Sequence, residues 1–121
     1  DFIDEIKGFI KDYDNKLTDE DSNNIDLKLI SYISKLSKTD KLLFKILIQS
    51  LKYYYKDLMN MKFNVKKYQP TFPFLEYNNI DSIKLNHTNY IDIIEQFEKD
   101  CLIKLNLDLS LFNLFNNLRN N

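Results

Sequence analysis

DKLLFKILIQSLKYYYKDLMNMKF, residues 40–63, decides the fold of this chain. Its polar residues Lys41, Lys45, Gln49, Lys52, Lys56 and Asn60 step by four, four, three, four and four. At about 100° per residue they share roughly 100° of one helix face. Nearly everything else is apolar, from Leu42, Leu43 and Phe44 through Ile46, Leu47, Ile48 and Leu51 to Leu58, Met59 and Met61. One neighbour cannot cover a helix that is apolar over so much of its circumference. The stretch therefore predicts a central helix with other helices around it and a lysine edge reaching water.

Shorter helical patterns flank this rod. Residues 2–13 place Phe2, Ile6, Phe9 and Tyr13 on one face, with Asp4, Glu5, Lys7 and Lys11 opposite, and residues 25–36 repeat the pattern through Ile25, Leu29, Ile33 and Leu36. Between them DNKLTDEDSNN, residues 14–24, is acidic and rich in turn formers, so it is expected to be a flexible loop. Ser37 or Thr39 is expected to cap the long helix, with Asp40 in its first turn. Residues 64–79 contain Pro70 and Pro73 and read as a connection, its aromatics Tyr68, Phe72, Phe74 and Tyr77 holding it against the bundle. Residues 80–85 allow a short helix, and Thr88 is a fair cap for a helix running to about residue 105. Residues 103–111, IKLNLDLSL, alternate with the period of a strand; since no equally clear second strand exists to pair with them, a helix restarting near Asp108 is favoured. The final RNN is expected to fray. The expected architecture is all-α, five to six helices around residues 40–63, in one domain spanning residues 1–121.

Composition allows such a core. Of 121 residues 44% are hydrophobic and 29% charged with signs well mixed, which argues against a disordered chain. No alanine, one glycine, one valine and one arginine, beside a surplus of asparagine, lysine and isoleucine, are what A/T-rich codons produce. Lysine in place of arginine is then mutational bias. Cys101 stands alone, so no internal disulfide is available, and a reducing, intracellular setting fits. No apolar run reaches the roughly 20 residues of a membrane span, so a soluble domain is expected.

Catalytic and metal signatures are missing. With one histidine, His87, and one cysteine, the usual zinc ligand set lacks its count. A Cys101–His87 dyad would put its nucleophile on the apolar stripe of a helix, where a thiol is an inert packing residue. The acidic loop around Asp19, Glu20 and Asp21 lacks the glycine and the oxygen-donor spacing of a calcium site. A lone glycine inside a helix rules out phosphate-cradling glycine loops. No cofactor is expected. Asn86, His87 and Thr88 form an N-x-T glycosylation pattern that asparagine-rich chains generate often.

Charge is distributed unevenly. Residues 1–27 carry nine acids against three lysines, residues 28–67 ten lysines against two acids, and residues 68–121 seven acids against four bases. The middle segment could offer a basic ridge to an acidic protein, an acidic surface or anionic lipid, unless the acidic first helix and loop fold against it and neutralise it. The overall pI near 5.8 and the scarcity of arginine forks argue against dedicated nucleic-acid binding. Tyr53, Tyr54 and Tyr55 cannot all face inward, because successive residues turn by about 100°, so at least one is expected at a rim where tyrosine anchors a partner. The candidate partner-binding residues are accordingly Tyr53, Tyr54, Tyr55, Lys52, Lys56, Lys62, Lys66, Lys67 and Tyr68.

These readings predict a non-enzymatic helical domain that binds another macromolecule, a protein first of all. Alternatives are a structural subunit or excised piece of a larger helical assembly and a carrier of a small apolar ligand or lipid. In pattern, an apolar central helix ringed by amphipathic ones resembles Bcl-2-like groove proteins, including viral ones, which bind amphipathic helices. SKTDKLLF stands where their glycine-arginine motif precedes the central helix.

Overall fold

The fold comes from a computed structural model that describes residues 2–17, 22–63, 67–75, 77, 87–103 and 106–120. Five α-helices and no strand occur among them: α1 (Phe2–Leu17), α2 (Ser22–Thr39), α3 (Lys41–Lys62), α4 (His87–Leu102) and α5 (Leu107–Asn120). The all-α expectation holds, and the strand period near residue 107 gives way to α5. Leu111, Leu114, Phe115 and Leu118 recur there at helical spacing and are all buried, so the helix covers more apolar surface than an unpaired strand could.

Local chemistry sets the boundaries. Asp40, not Ser37 or Thr39, caps α3: its carboxylate accepts from the Leu43 amide at 3.1 Å. Both hydroxyls instead bond back inside α2, Ser37 to the Ser34 carbonyl and Thr39 to that of Lys35, so α2 runs on to Thr39. The 14–24 loop is shorter than its composition suggests, because residues 14–17 extend α1 and residues 22–24 open α2. Asp14 is buried and accepts the Tyr54 hydroxyl at 2.6 Å, which lets a polar residue sit on the inner face of α1. Residues 18–21, the expected short helix at 80–85, and Asn86 lie outside the described residues. Arg119 and Asn120, expected to fray, close α5.

Helix α3 packs against α1, α2 and α4, while α5 closes mainly over α2 and α4. It gives the core Leu47, Leu51, Tyr54 and Leu58; α1 adds Phe9, Ile10 and Tyr13, α2 adds Leu29 and Ile33, and α4 adds Tyr90, Ile94 and Phe97. Its lysine edge faces outward as read from the sequence, with Lys41, Lys45, Gln49 and Lys56 exposed. Its apolar remainder is not fully enclosed: Leu42 and Tyr53 are exposed, whereas Ser50 and Asp57 are buried. Ser50 and Asp57 stand seven residues apart, two turns along one row of the inner face. Tyrosine rings form much of the centre, Tyr55 stacking on Tyr90 at 4.4 Å between centroids and Tyr54 on Tyr77 at 5.9 Å.

Gly8 sits in the second turn of α1 with no left-handed backbone to justify it. A Cβ built there meets nothing within 4 Å. A glycine within a helix costs roughly 1 kcal/mol relative to alanine, and no packing among the described residues offsets it.

Candidate functional site

The lysine edge of α3 runs beside α4, and a shallow groove lies between them. Phe44, Lys45, Ile48 and Gln49 of α3 and Glu98, Cys101 and Leu102 of α4 enclose a hollow of about 280 Å³. Gln49 also belongs to the next hollow, of about 330 Å³, lined by Lys52, Tyr53, Lys56 and Ile91. From residue 44 to residue 56 the α3 wall is about 18 Å long, roughly three helical turns.

The floor is apolar, the α3 rim carries lysines and the α4 rim carries Glu98. Ile48 is buried in the floor, and the Phe44 ring leans on Phe97 at 6.4 Å. Leu102 is 82% and Tyr53 50% exposed, two large apolar side chains left against water on opposite walls. Lys52 bridges the groove to Glu98 at 2.5 Å, both side chains about a third exposed, a pair of a kind that contributes under about 1 kcal/mol. Lys41, Lys45 and Lys56 have no ion-pair partner among the described residues. α1 meets α3 through rings, as Tyr13 does against Tyr54 and Tyr55. Cys101 is half-buried in the groove wall, and burial, then Asp100 and Glu98, push its thiol up, which makes it a slow nucleophile.

Of the residues expected to touch a partner, Lys52, Tyr53 and Lys56 come together here. Tyr54 and Tyr55 do not: they are 0% and 2% exposed, and their hydroxyls meet Asp14 and Tyr13 across the α1 interface. Two of three consecutive tyrosines turn inward because α1 and the Tyr77 and Tyr90 rings cover them from different sides. Lys62 is half-buried at the end of α3, Lys67 is exposed with a left-handed φ of 61°, and Lys66 lies outside the described residues. Tyr68 is a structural donor here, its hydroxyl given to Asp57.

Asp57 is the residue the sequence reading passed over. Fully buried, its carboxylate accepts from the hydroxyls of Tyr68, Tyr77 and Thr71 and from the backbone amides of Thr71 and Phe72. These donors all come from the proline-containing connection, which it straps onto α3. The available signal was a lone acid, seven residues from Ser50, interrupting the apolar side of a lysine-edged helix.

Tyr32, Tyr68 and Tyr77 are pushed up from the ordinary phenol range, first by burial and then by the carboxylates they donate to, Glu5 for Tyr32 and Asp57 for the other two. Tyr32 reaches about 12. A raised phenol holds its proton longer folded than unfolded, so its contribution is complete below about pH 10 and is lost as pH climbs through the folded value. Denaturant unfolding at pH 8, 10, 11 and 12 should show a first loss as Cys101 leaves the ordinary thiol range and a steady further fall beyond about pH 10 as the phenols ionise. Tyr77→Phe should flatten that fall while lowering stability at pH 8.

Among the described residues no group of three or more histidine, cysteine or carboxylate side chains is placed to hold a metal ion, and no helix is long and apolar enough to cross a membrane. No protein family, curated protein or solved structure matches the chain.

Proposed function

We propose that this domain is a non-enzymatic protein-interaction module that receives an amphipathic helix of a partner, acidic along its edges, in the groove between α3 and α4. The observation that carries this reading is two adjoining hollows with exposed Leu102 in one and exposed Tyr53 in the next, and with Lys45 and Lys56 on the α3 rim having no ion-pair partner among the described residues. An apolar stripe on the partner would cover Tyr53, Leu102 and Phe44. Its carboxylates would meet the lysines, which adds rate and selectivity more than affinity. The hollows named above are open to water along their length, which favours a macromolecular occupant over an enclosed apolar cargo.

Cys101 supplies the readout. A helical peptide with a leucine stripe and glutamate edges should slow alkylation of this thiol at least tenfold at saturation, and Tyr53→Ala with Lys56→Glu should weaken that protection about a hundredfold, two anchors at roughly 1.4 kcal/mol each. Equal protection by a lysine-edged peptide, or none from either, would sink the proposal.

A further inference from the structure

The ion pair between Lys52 of α3 and Glu98 of α4 stands where the two hollows of their groove meet. Glu98 lines the hollow of about 280 Å³ and Lys52 the one of about 330 Å³, and the two hollows share only Gln49. The bridge is 2.5 Å long with side chains 27% and 34% exposed, so it lies at the surface of the groove, whereas Ile48 in the floor is buried. A partner helix that runs from Leu102 to Tyr53 has to pass this point.

Glu98 is the one carboxylate lining either hollow among the described residues; Asp92, Glu95 and Asp100 of the same helix line neither. Three lysines face it, Lys45, Lys52 and Lys56, and Lys52 stands between the other two along α3. The middle cation is therefore already taken, and by the same kind of group that the proposed partner helix carries. While Glu98 stays there, an incoming carboxylate meets one cation and one anion at once and gains nothing net. To gain the contact it must displace Glu98, whose charge then turns toward water.

We infer that the Lys52–Glu98 bridge is a self-inhibiting latch across the α3–α4 groove: Glu98 holds the lysine that a glutamate of the partner helix takes on binding, and is displaced from it at that moment. This rests on the docking of an acidic-edged helix proposed above and adds its regulation. Trading one exposed carboxylate for another leaves the number of ion pairs unchanged, so the latch lowers affinity for every acidic partner without abolishing it. A helix whose glutamates match Lys45 and Lys56 and whose apolar stripe covers Tyr53 and Leu102 overcomes the latch, and a merely acidic segment does not. An exposed pair limits the effect to about fivefold in affinity.

Fluorescence anisotropy of a labelled peptide measures the effect, because Glu98 also acts on the Cys101 thiol and would disturb its alkylation. Glu98→Gln keeps the shape of the side chain and removes its charge. It should bind a leucine-striped, glutamate-edged helix about fivefold more tightly than the parent does, chiefly through faster association. A glutamine-edged control should bind both proteins equally. In the parent, the carbon-13 signal of the Glu98 carboxyl, identified by its loss in Glu98→Gln, should move toward that of a free glutamate as the acidic helix saturates the groove. Equal affinity of the parent and Glu98→Gln for the acidic helix, or a Glu98 signal that stays in place at saturation, would overturn the latch and leave the docking proposal standing. Equal tightening of both peptides would overturn it too, since Glu98 would then act through the shape of the groove. Binding by Glu98→Gln alone would uphold the latch and overturn docking to the parent chain, and no binding by either protein would end both.

Discussion

Asp57→Asn is expected to lower the unfolding free energy by about 3 kcal/mol and the melting temperature by roughly 10 °C. The carboxylate is fully buried and accepts five hydrogen bonds from the connection that follows α3. Asparagine has nearly the same shape but replaces one accepting oxygen by a donor. That NH₂ must face either the Thr71 and Phe72 amides and the Tyr77 hydroxyl or the hydroxyls of Tyr68 and Thr71. Each buried group left without a partner costs about 1–3 kcal/mol, so a single unfavourable contact already suffices for much of the loss. For a domain of this size, with total stability of about 5–15 kcal/mol, it is a large fraction. The strap should loosen before the bundle does, and hydrogen exchange at Thr71 and Phe72 should quicken more than at core positions of α3. Stability within about 0.5 kcal/mol of the parent would show that the strap is held by its rings, Tyr77 stacked on Tyr54 and Phe72 buried in the core, and not by the carboxylate.

Tyr54→Ala should cost about 4 kcal/mol, whereas Tyr53→Ala should stay within about 0.5 kcal/mol of the parent in stability. Tyr54 is 0% exposed and touches Tyr13, Tyr55 and Tyr77, so truncation opens a cavity at the meeting of α1, α3 and the strap. It also removes the hydroxyl that Asp14 accepts inside the protein. Tyr53 next to it is half exposed, and its loss removes contact area only from the groove. Urea unfolding of the two variants side by side measures the contrast. Similar losses in both would mean that Tyr53 packs in solution, and the exposed anchor assigned to the groove would disappear with it.

The helical order was legible because periodicity is a local property: apolar residues three and four apart mark one face whatever lies opposite. Leu29 and Ile33, Tyr90, Ile94 and Phe97, and the lysine edge of α3 were all read correctly in this way. Helix ends were read less well. Whether Ser37, Thr39 or Asp40 caps α3 depends on which oxygen reaches the Leu43 amide, and all three residue types are good caps. The candidate site was legible in part, since Lys52, Tyr53 and Lys56 belong to one exposed row. The α4 side of the groove, Ile91, Glu98, Cys101 and Leu102, comes from residues more than thirty positions away. No spacing within α3 announces it.

What the sequence by itself determined is the helical character of the periodic stretches and the outward edge of α3, because both follow from a fixed turn per residue. Only the tertiary structure decided which of three adjacent tyrosines is exposed, that Asp14 and Asp57 go inside, and where two helices leave a groove. Those outcomes depend on whether a distant segment supplies a ring to stack on or a donor to satisfy a carboxylate. For Asp57 the donors come from residues 68–77, and burial of its charge becomes tolerable only once they have arrived.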